Sequence, residues 1–228
     1  MNNNSRVSNI RDNCRANLLK YTKQAFDIIT LLSNPRILDI GCGSGVATIE
    51  LARLTDGYIE AIDIDQNVLK EFKRQVQSQN LQHQITISEI SMLETNFPTV
   101  SFDLIWSEGS IAFIGFQTGL EKWRTYLKPD GYLVVHDSKR DLKHKEKLIP
   151  ECGYTLLGEF ILSHEIWWNE YFAPLKKQLE SLPDFKSLTS AEISELHTAQ
   201  QEIKRFDLSN DNYASVFFIL KKIKTFQD

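Results

Sequence analysis

Read for hydrophobic and polar positions alone, the chain alternates short apolar runs with stretches at helical spacing. Ile37-Leu38-Asp39-Ile40 is a compact apolar run holding one acid. Gly57 to Asp63 is a second such run, and Ile85-Thr86-Ile87-Ser88-Glu89 a short, alternating third. Between them Val46 to Leu51 starts a helix, and Val68, Leu69, Phe72 and Val76 give another its core face. Further on, Leu120, Trp123, Arg124 and Leu127 form a helical stripe. Lys128-Pro129-Asp130-Gly131 then predicts a type I turn before a strand from Tyr132 to Asp137. Gly153 to Leu162 and Asn212 to Lys222 read as the last two strands.

Two stretches lie outside this alternation. From about Asn9 to Leu32 the pattern is helical, with Leu18, Thr22, Ala25, Ile29 and Leu32 on one stripe and Asn34-Pro35 as its stop. Between the last two strands roughly fifty residues intervene, far more than a hairpin loop of about 2–5. There Trp168, Phe172, Leu175, Leu179 and Leu182 recur at helical spacing. After Pro183, Thr189-x-x-Glu192 predicts a capping box opening a helix through Ile193, Leu196, Gln200 and Ile203. No internal repeat or flexible linker is evident. The expectation is therefore one domain over residues 1–228, with an N-terminal helical segment (1–34) and a helical insert (164–211).

The first apolar run ends in Gly41-Cys42-Gly43-Ser44-Gly45, a buried strand turning sharply into a helix. Glycines there permit positive φ and leave no Cβ to block a ligand, while the helix start offers free N–H groups. A dinucleotide loop reads G-x-G-x-x-G. This loop reads G-x-G-x-G, with Val46 at the third fingerprint position and Asp39 two residues ahead of the first glycine. It resembles the first motif of the class I S-adenosylmethionine (SAM) methyltransferases. Val100 to Trp106 matches that family's fourth strand. Trp123-x-x-x-Leu127-Lys128-Pro129-x-Gly131-Tyr132-Leu133 is similar to a phrase of its small-molecule members. The resemblance implies an α/β fold: a doubly wound, mostly parallel seven-stranded sheet with helices on both faces, here with a helical cap between the last two strands.

Several site residues follow. Asp63 stands about 20 residues past the loop, where a carboxylate accepts hydrogen bonds from ribose hydroxyls; Asp65 is the better helix cap. The resemblance assigns the cofactor's binding to Asp39, Gly41, Cys42, Gly43, Gly45, Asp63 and its neighbour Ile64. It adds Met92 to cover the adenine, with Ser91 where many members carry Asp. Tyr21, with Arg11, Arg15 and Lys20, is placed at the cofactor's amino-acid end. Catalytic candidates are Glu108, after the fourth strand, and His136, near the end of the fifth beside Asp137. The Asn/Asp-Pro-Pro-Tyr/Phe motif of base- and glutamine-modifying relatives is absent, which argues against those substrates. Acceptors already nucleophilic need no strong base. In the aromatic run Trp167 to Phe172, Trp168 and Tyr171 are expected at the substrate, with a homodimer partner as the other option for this surface.

Composition narrows the rest. The chain has 228 residues, 42% of them hydrophobic, and a formal net charge of −4, so no bulk positive field favours nucleic acid. Cys14, Cys42 and Cys152 are too scattered for a disulfide framework or a zinc site, and no metal is expected. The polar start Met1 to Ser5 reads as neither signal nor transit peptide, and no apolar run reaches spanning length, so a cytoplasmic protein off the membrane is expected. The function expected is methyl transfer from SAM to a small-molecule acceptor by in-line displacement. The alternatives are a nicotinamide-dependent reductase and a SAM-binding partner protein without catalysis.

Overall fold

The computed structural model describes residues 5–30, 33–182, 187–209 and 213–224. Met1 to Asn4, Leu32, Pro183 and Asn212, which entered the sequence expectations, lie outside the described residues. Two compact units emerge. One consists of Tyr21–Ile161 with Ser215–Asp228, the other of Met1–Lys20 with Leu162–Ala214.

The larger unit carries a seven-stranded sheet: β1 (Arg36–Ile40), β2 (Tyr58–Asp63), β3 (Ile85–Glu89), β4 (Phe102–Glu108), β5 (Leu127–Ser138), β6 (Tyr154–Leu162) and β7 (Ser215–Lys222), in the order β3-β2-β1-β4-β5-β7-β6. Strands β1 to β5 pair in parallel, and β7 runs antiparallel to β5. The order reverses between β1 and β4, and in doubly wound sheets ligands bind at the carboxyl ends beside such a reversal. Ile37, Leu38 and Ile40 of β1 are fully buried, as an apolar run in a sheet covered on both faces requires.

Helices α3 (Val46–Leu54) and α4 (Gln66–Ser78) follow β1 and β2, while α5 (Phe116–Arg124) and α6 (Leu142–Glu151) bracket β5. Phe116, Leu120 and Trp123 of α5 and Leu148 and Ile149 of α6 share one core with Ile105, Leu133, Val135 and Phe218 from one sheet face. The N-terminal stretch expected as one helix is two, α1 (Arg6–Ala16) and α2 (Leu19–Phe26). α1 ends at Asn17, whose N–H returns to Cys14 and Arg15 carbonyls.

Of the strand boundaries that differ from the sequence reading, two bear on β4 and β5. Val100 has φ of +56°, so the chain is still turning there and β4 starts at Phe102 and runs through Glu108. The Lys128 to Gly131 turn is an irregularity inside one long strand: Phe102 pairs with Leu127 and Leu104 with Tyr132, with Asp130 at φ +63° absorbing the excess.

In the smaller unit α1 packs with α7 (His164–Trp167), a π-helical turn over Trp168–Phe172, α8 (Ala173–Glu180) and α9 (Ser190–Asp207). The capping box is present: Thr189 accepts from the Glu192 N–H, and the Glu192 carboxylate accepts from the Thr189 N–H. Glu192 also accepts from Arg6 of α1, which holds its carboxyl well below the usual range.

The three loop glycines are not equivalent. Gly45, at φ +82°, would place a Cβ 2.0 Å from the Phe72 ring of α4, whereas a Cβ on Gly43, at φ +53°, meets nothing within 4 Å. Gly43→Ala should cost the backbone strain alone, about 1–2 kcal/mol. Gly45→Ala should cost that and roughly 1–3 kcal/mol of overpacking besides. Urea unfolding of the two variants checks the order; equal midpoints would contradict it.

Candidate functional site

The glycine loop is held from both sides. Gly41 and Cys42 donate their N–H groups to the Ile62 carbonyl at 2.8 and 3.0 Å, tying the loop to the end of β2. Gly43 N–H donates to Asp63 Oδ2 at 2.9 Å, and the Ile64 and Asp65 N–H groups donate to Oδ1 at 2.7 and 3.0 Å. On the other side Ser110 donates to the Ile40 carbonyl at 2.7 Å and stands where a Cβ on Gly41 would fall.

Asp65 takes the helix cap, accepting from Asn67 N–H at 2.8 Å. Asp63 is freed from capping, yet three amides already occupy its oxygens. A carboxylate offers about four acceptor positions. The expectation of two ribose hydroxyls on Asp63 therefore narrows to about one, on Oδ2. Ile64 beside it is 63% exposed, a large apolar side chain facing solvent at the strand end. The Met92 methyl lies 3.6 Å from the Cβ position of Gly41, so Met92 reaches the loop, while Ser91 accepts from the Leu93 N–H at 3.2 Å.

Cys42 sits inside the loop, its thiol 3.8 Å from the Gly43 carbonyl. Burial, and then the charges of Asp39 and Asp63, push its pKa up, so no thiolate forms there.

A polar row crosses the sheet at the carboxyl ends. Asp39 pairs with Trp106, and Glu108 with His136, so these side chains share one face. Asp39 is buried and accepts from the Thr48 hydroxyl of α3; burial, outweighing that bond, pushes it up to about 7. Glu108 Oε1 accepts from the Trp106 indole N–H at 2.8 Å and from the Thr22 hydroxyl of α2 at 2.9 Å. Desolvation raises its pKa against both hydrogen bonds. The donors to Glu108 are thus an indole and a helix hydroxyl. Thr22 looked like one member of a core stripe, and only its hydroxyl on that stripe hinted at more.

His136 is a buried structural residue. Its ring stacks on Phe217 with centroids 4.1 Å apart, and Nε2 shares a hydrogen bond of 2.7 Å with Ser215. Burial pushes its pKa down to about 3, which makes it a poor proton acceptor and corrects the base role considered for it. Asp137 is spent on Lys145, 2.6 Å away and equally buried. Tyr21 stands near Phe160, at 6.4 Å between ring centroids.

Trp168 and Tyr171 belong to the helical unit. Tyr171 is 2% exposed, edge-on to Trp167 and Phe172, and Trp168 stacks on Phe206 at 5.9 Å. Arg11 of α1 pairs with Glu202 of α9 at 2.8 Å, and Lys20 with Glu170 at 2.6 Å, so both are engaged within that unit. Among the described residues no group of three His, Cys, Asp or Glu side chains is arranged for a metal. No helix among them is long and apolar enough to cross a membrane.

The sheet order, the antiparallel β7 and the glycine loop closed onto an acid at the end of β2 define the class I methyltransferase fold. Residues 37–131 match the family described as a methyltransferase domain. The chain is 29% identical over 122 residues to the phosphoethanolamine N-methyltransferase of Plasmodium falciparum, covering 52% of this chain and 45% of that one. The chain spans less than half the length of the first curated relatives it matches. Among solved structures it is similar to the [4+2]-cyclase SpnF, with TM-score 0.73, 16% identity and coverage of 90% of this chain and 82% of that one. It is also similar to phosphoethanolamine N-methyltransferase 2 of Haemonchus contortus in complex with SAM, with TM-score 0.70, 16% identity and coverage of 89% and 53%.

The His136 ring gives a pH signature. Its folded pKa lies below the unfolded value of about 6.5, so the unfolded chain binds the proton more readily. Its contribution to stability is complete above pH ~6.5 and is lost as pH falls towards ~3. Melting temperatures from pH 7.5 to 4.5 should therefore fall less steeply in His136→Gln than in the wild type. Parallel slopes would show that the ring titrates normally.

Proposed function

We propose that this chain transfers a methyl group from SAM to a small-molecule acceptor. The observation that carries the reading is the loop around Gly43. It is pinned by Asp63 and Ile62, it is open where a Cβ would stand, and it is flanked by exposed Ile64 and by Met92. Those residues fit SAM. Apolar Ile64 and Met92 suit a flat adenine, an acid with a free acceptor position suits a ribose hydroxyl, and a Cβ-free backbone admits close approach. A pyrophosphate would need a third fingerprint glycine, and Val46 stands there.

Bound SAM supplies an electrophilic methyl on a sulfonium. The chain's own task is to hold the acceptor in line, exclude water and, where the acceptor carries a proton, take it. Glu108 is the group for that last step. It ends β4, the strand beside β1, and two residues on Ser110 touches the loop. Burial weakens its acidity in the direction a base at neutral pH requires. The phosphoethanolamine N-methyltransferase relatives act on a small molecule, and a net charge of −4 agrees with that substrate range.

Calorimetry with SAM, S-adenosylhomocysteine, NAD(H) and NADP(H) tests the cofactor. The reading expects the first two to bind and the nicotinamides not to; nicotinamide binding without SAM binding would overturn it. Asp63→Ala removes one cofactor contact and the anchor of Gly43. A hydrogen bond to a charged group contributes about 1.5–3 kcal/mol, so SAM affinity should fall roughly ten- to a hundredfold. If Asp65→Ala weakened binding more, the two acids would have exchanged roles. Glu108→Gln should lower turnover and leave the SAM dissociation constant nearly unchanged, as removal of a group acting on the acceptor requires.

A further inference from the structure

The Glu108 carboxylate is held asymmetrically. The Trp106 indole and the Thr22 hydroxyl both donate to Oε1, and among the described residues Oε2 has no hydrogen-bond partner. Two donors on one oxygen fix the rotation of the carboxylate, so the second oxygen is presented rather than mobile. Trp106 comes from the same strand, two residues back and on the same face. Thr22 comes from α2, 86 residues away in sequence, and its hydroxyl adds a second donor from outside the sheet.

Charge says what Oε2 awaits. Asp39, Asp63 and Glu108 stand close enough that Asp39 feels both of the others, and among the described residues no basic side chain pairs with any of the three. SAM carries an ammonium, a sulfonium and a carboxylate, one net positive charge, which leaves the site still negative. A neutral alcohol, thiol or carbon acid gains nothing from that field when it binds. A protonated amine gains from it.

We propose that Thr22 and Trp106 are positioning residues that turn Glu108 Oε2 to the methyl acceptor, and that the acceptor is an amine received there as its ammonium. The inference rests on the methyltransferase reading above. The ammonium gives one proton to Oε2 and keeps the N–H electron pair as a lone pair. That pair forms the new N–C bond while the S–C pair stays with sulfur as a neutral thioether. The nitrogen then carries the charge that the sulfonium has lost, and a protonated Glu108 releases its proton to solvent.

The test needs no knowledge of the natural acceptor. Two analogues of S-adenosylhomocysteine are made with nitrogen in place of sulfur, one bearing a 2-aminoethyl arm and the other a 2-hydroxyethyl arm. Their affinities are measured by calorimetry. In the wild type the aminoethyl compound should bind at least about tenfold more tightly, the value of a charge-assisted hydrogen bond. In Glu108→Gln the preference should fall to about threefold or less. Thr22→Val should lose most of it and Thr22→Ser should keep it. Because the readout is a ratio of two ligands on one protein, a general loss of stability does not move it. Equal affinities, or a preference for the hydroxyl arm, overturn the amine assignment and leave the methyltransferase reading standing. A full preference in Thr22→Val overturns the positioning role. If neither analogue nor S-adenosylhomocysteine binds, the reading beneath fails, and the inference with it.

Discussion

Asp63 makes the hydrogen bonds on which the candidate site depends. Its carboxylate gathers the amides of Gly43, Ile64 and Asp65, so the glycine loop after β1 and the turn after β2 become one rigid edge. Backbone amides aimed at a carboxylate are worth about twice a neutral pair, and they add to the bonds from Gly41 and Cys42 to the Ile62 carbonyl. Gly43 has no side chain, and its φ of +53° is one that other residues resist. The sheet order sets this edge next to β4, where Glu108 ends the strand. Without the Asp63 contacts the strands would still pair, but Gly43 would lose its side-chain anchor.

Much of this was legible in the sequence because it is local. Parallel strands buried on both faces are largely apolar, as Ile37, Leu38 and Ile40, and Ile59, Ala61 and Ile62, are. A loop with positive φ at positions 41, 43 and 45 needs glycine at each, and those glycines gave the family resemblance. Even the division of labour between Asp63 and Asp65 follows from spacing, since a cap must stand directly ahead of its helix.

What stayed hidden is long-range or irregular. The Thr22 hydroxyl on Glu108 joins residues that no local pattern connects. The two-residue shift of β4 turns on Val100 adopting a left-handed backbone, which its side chain disfavours. That shift changes the chemistry: as the last residue of the strand Glu108 shares a face with Trp106, whereas a loop position would have left its direction open. The π-helical turn at Trp168–Phe172 likewise breaks the helical spacing that made those aromatics look like a single face. His136 looked available because a strand end normally is; Phe217 and Ser215, brought in by the antiparallel β7, close it off.

The account therefore makes the glycine edge a holder of SAM and Glu108 the group that faces the acceptor. The most direct measurement is transfer itself. The purified chain is incubated with methyl-tritiated SAM and a protein-free metabolite extract, and the label is then separated by size and charge. The account predicts time-dependent label in a low-molecular-weight compound, with S-adenosylhomocysteine formed in equal amount. SAM binding with no label above a heat-inactivated control, or label confined to macromolecules added in parallel, would contradict it.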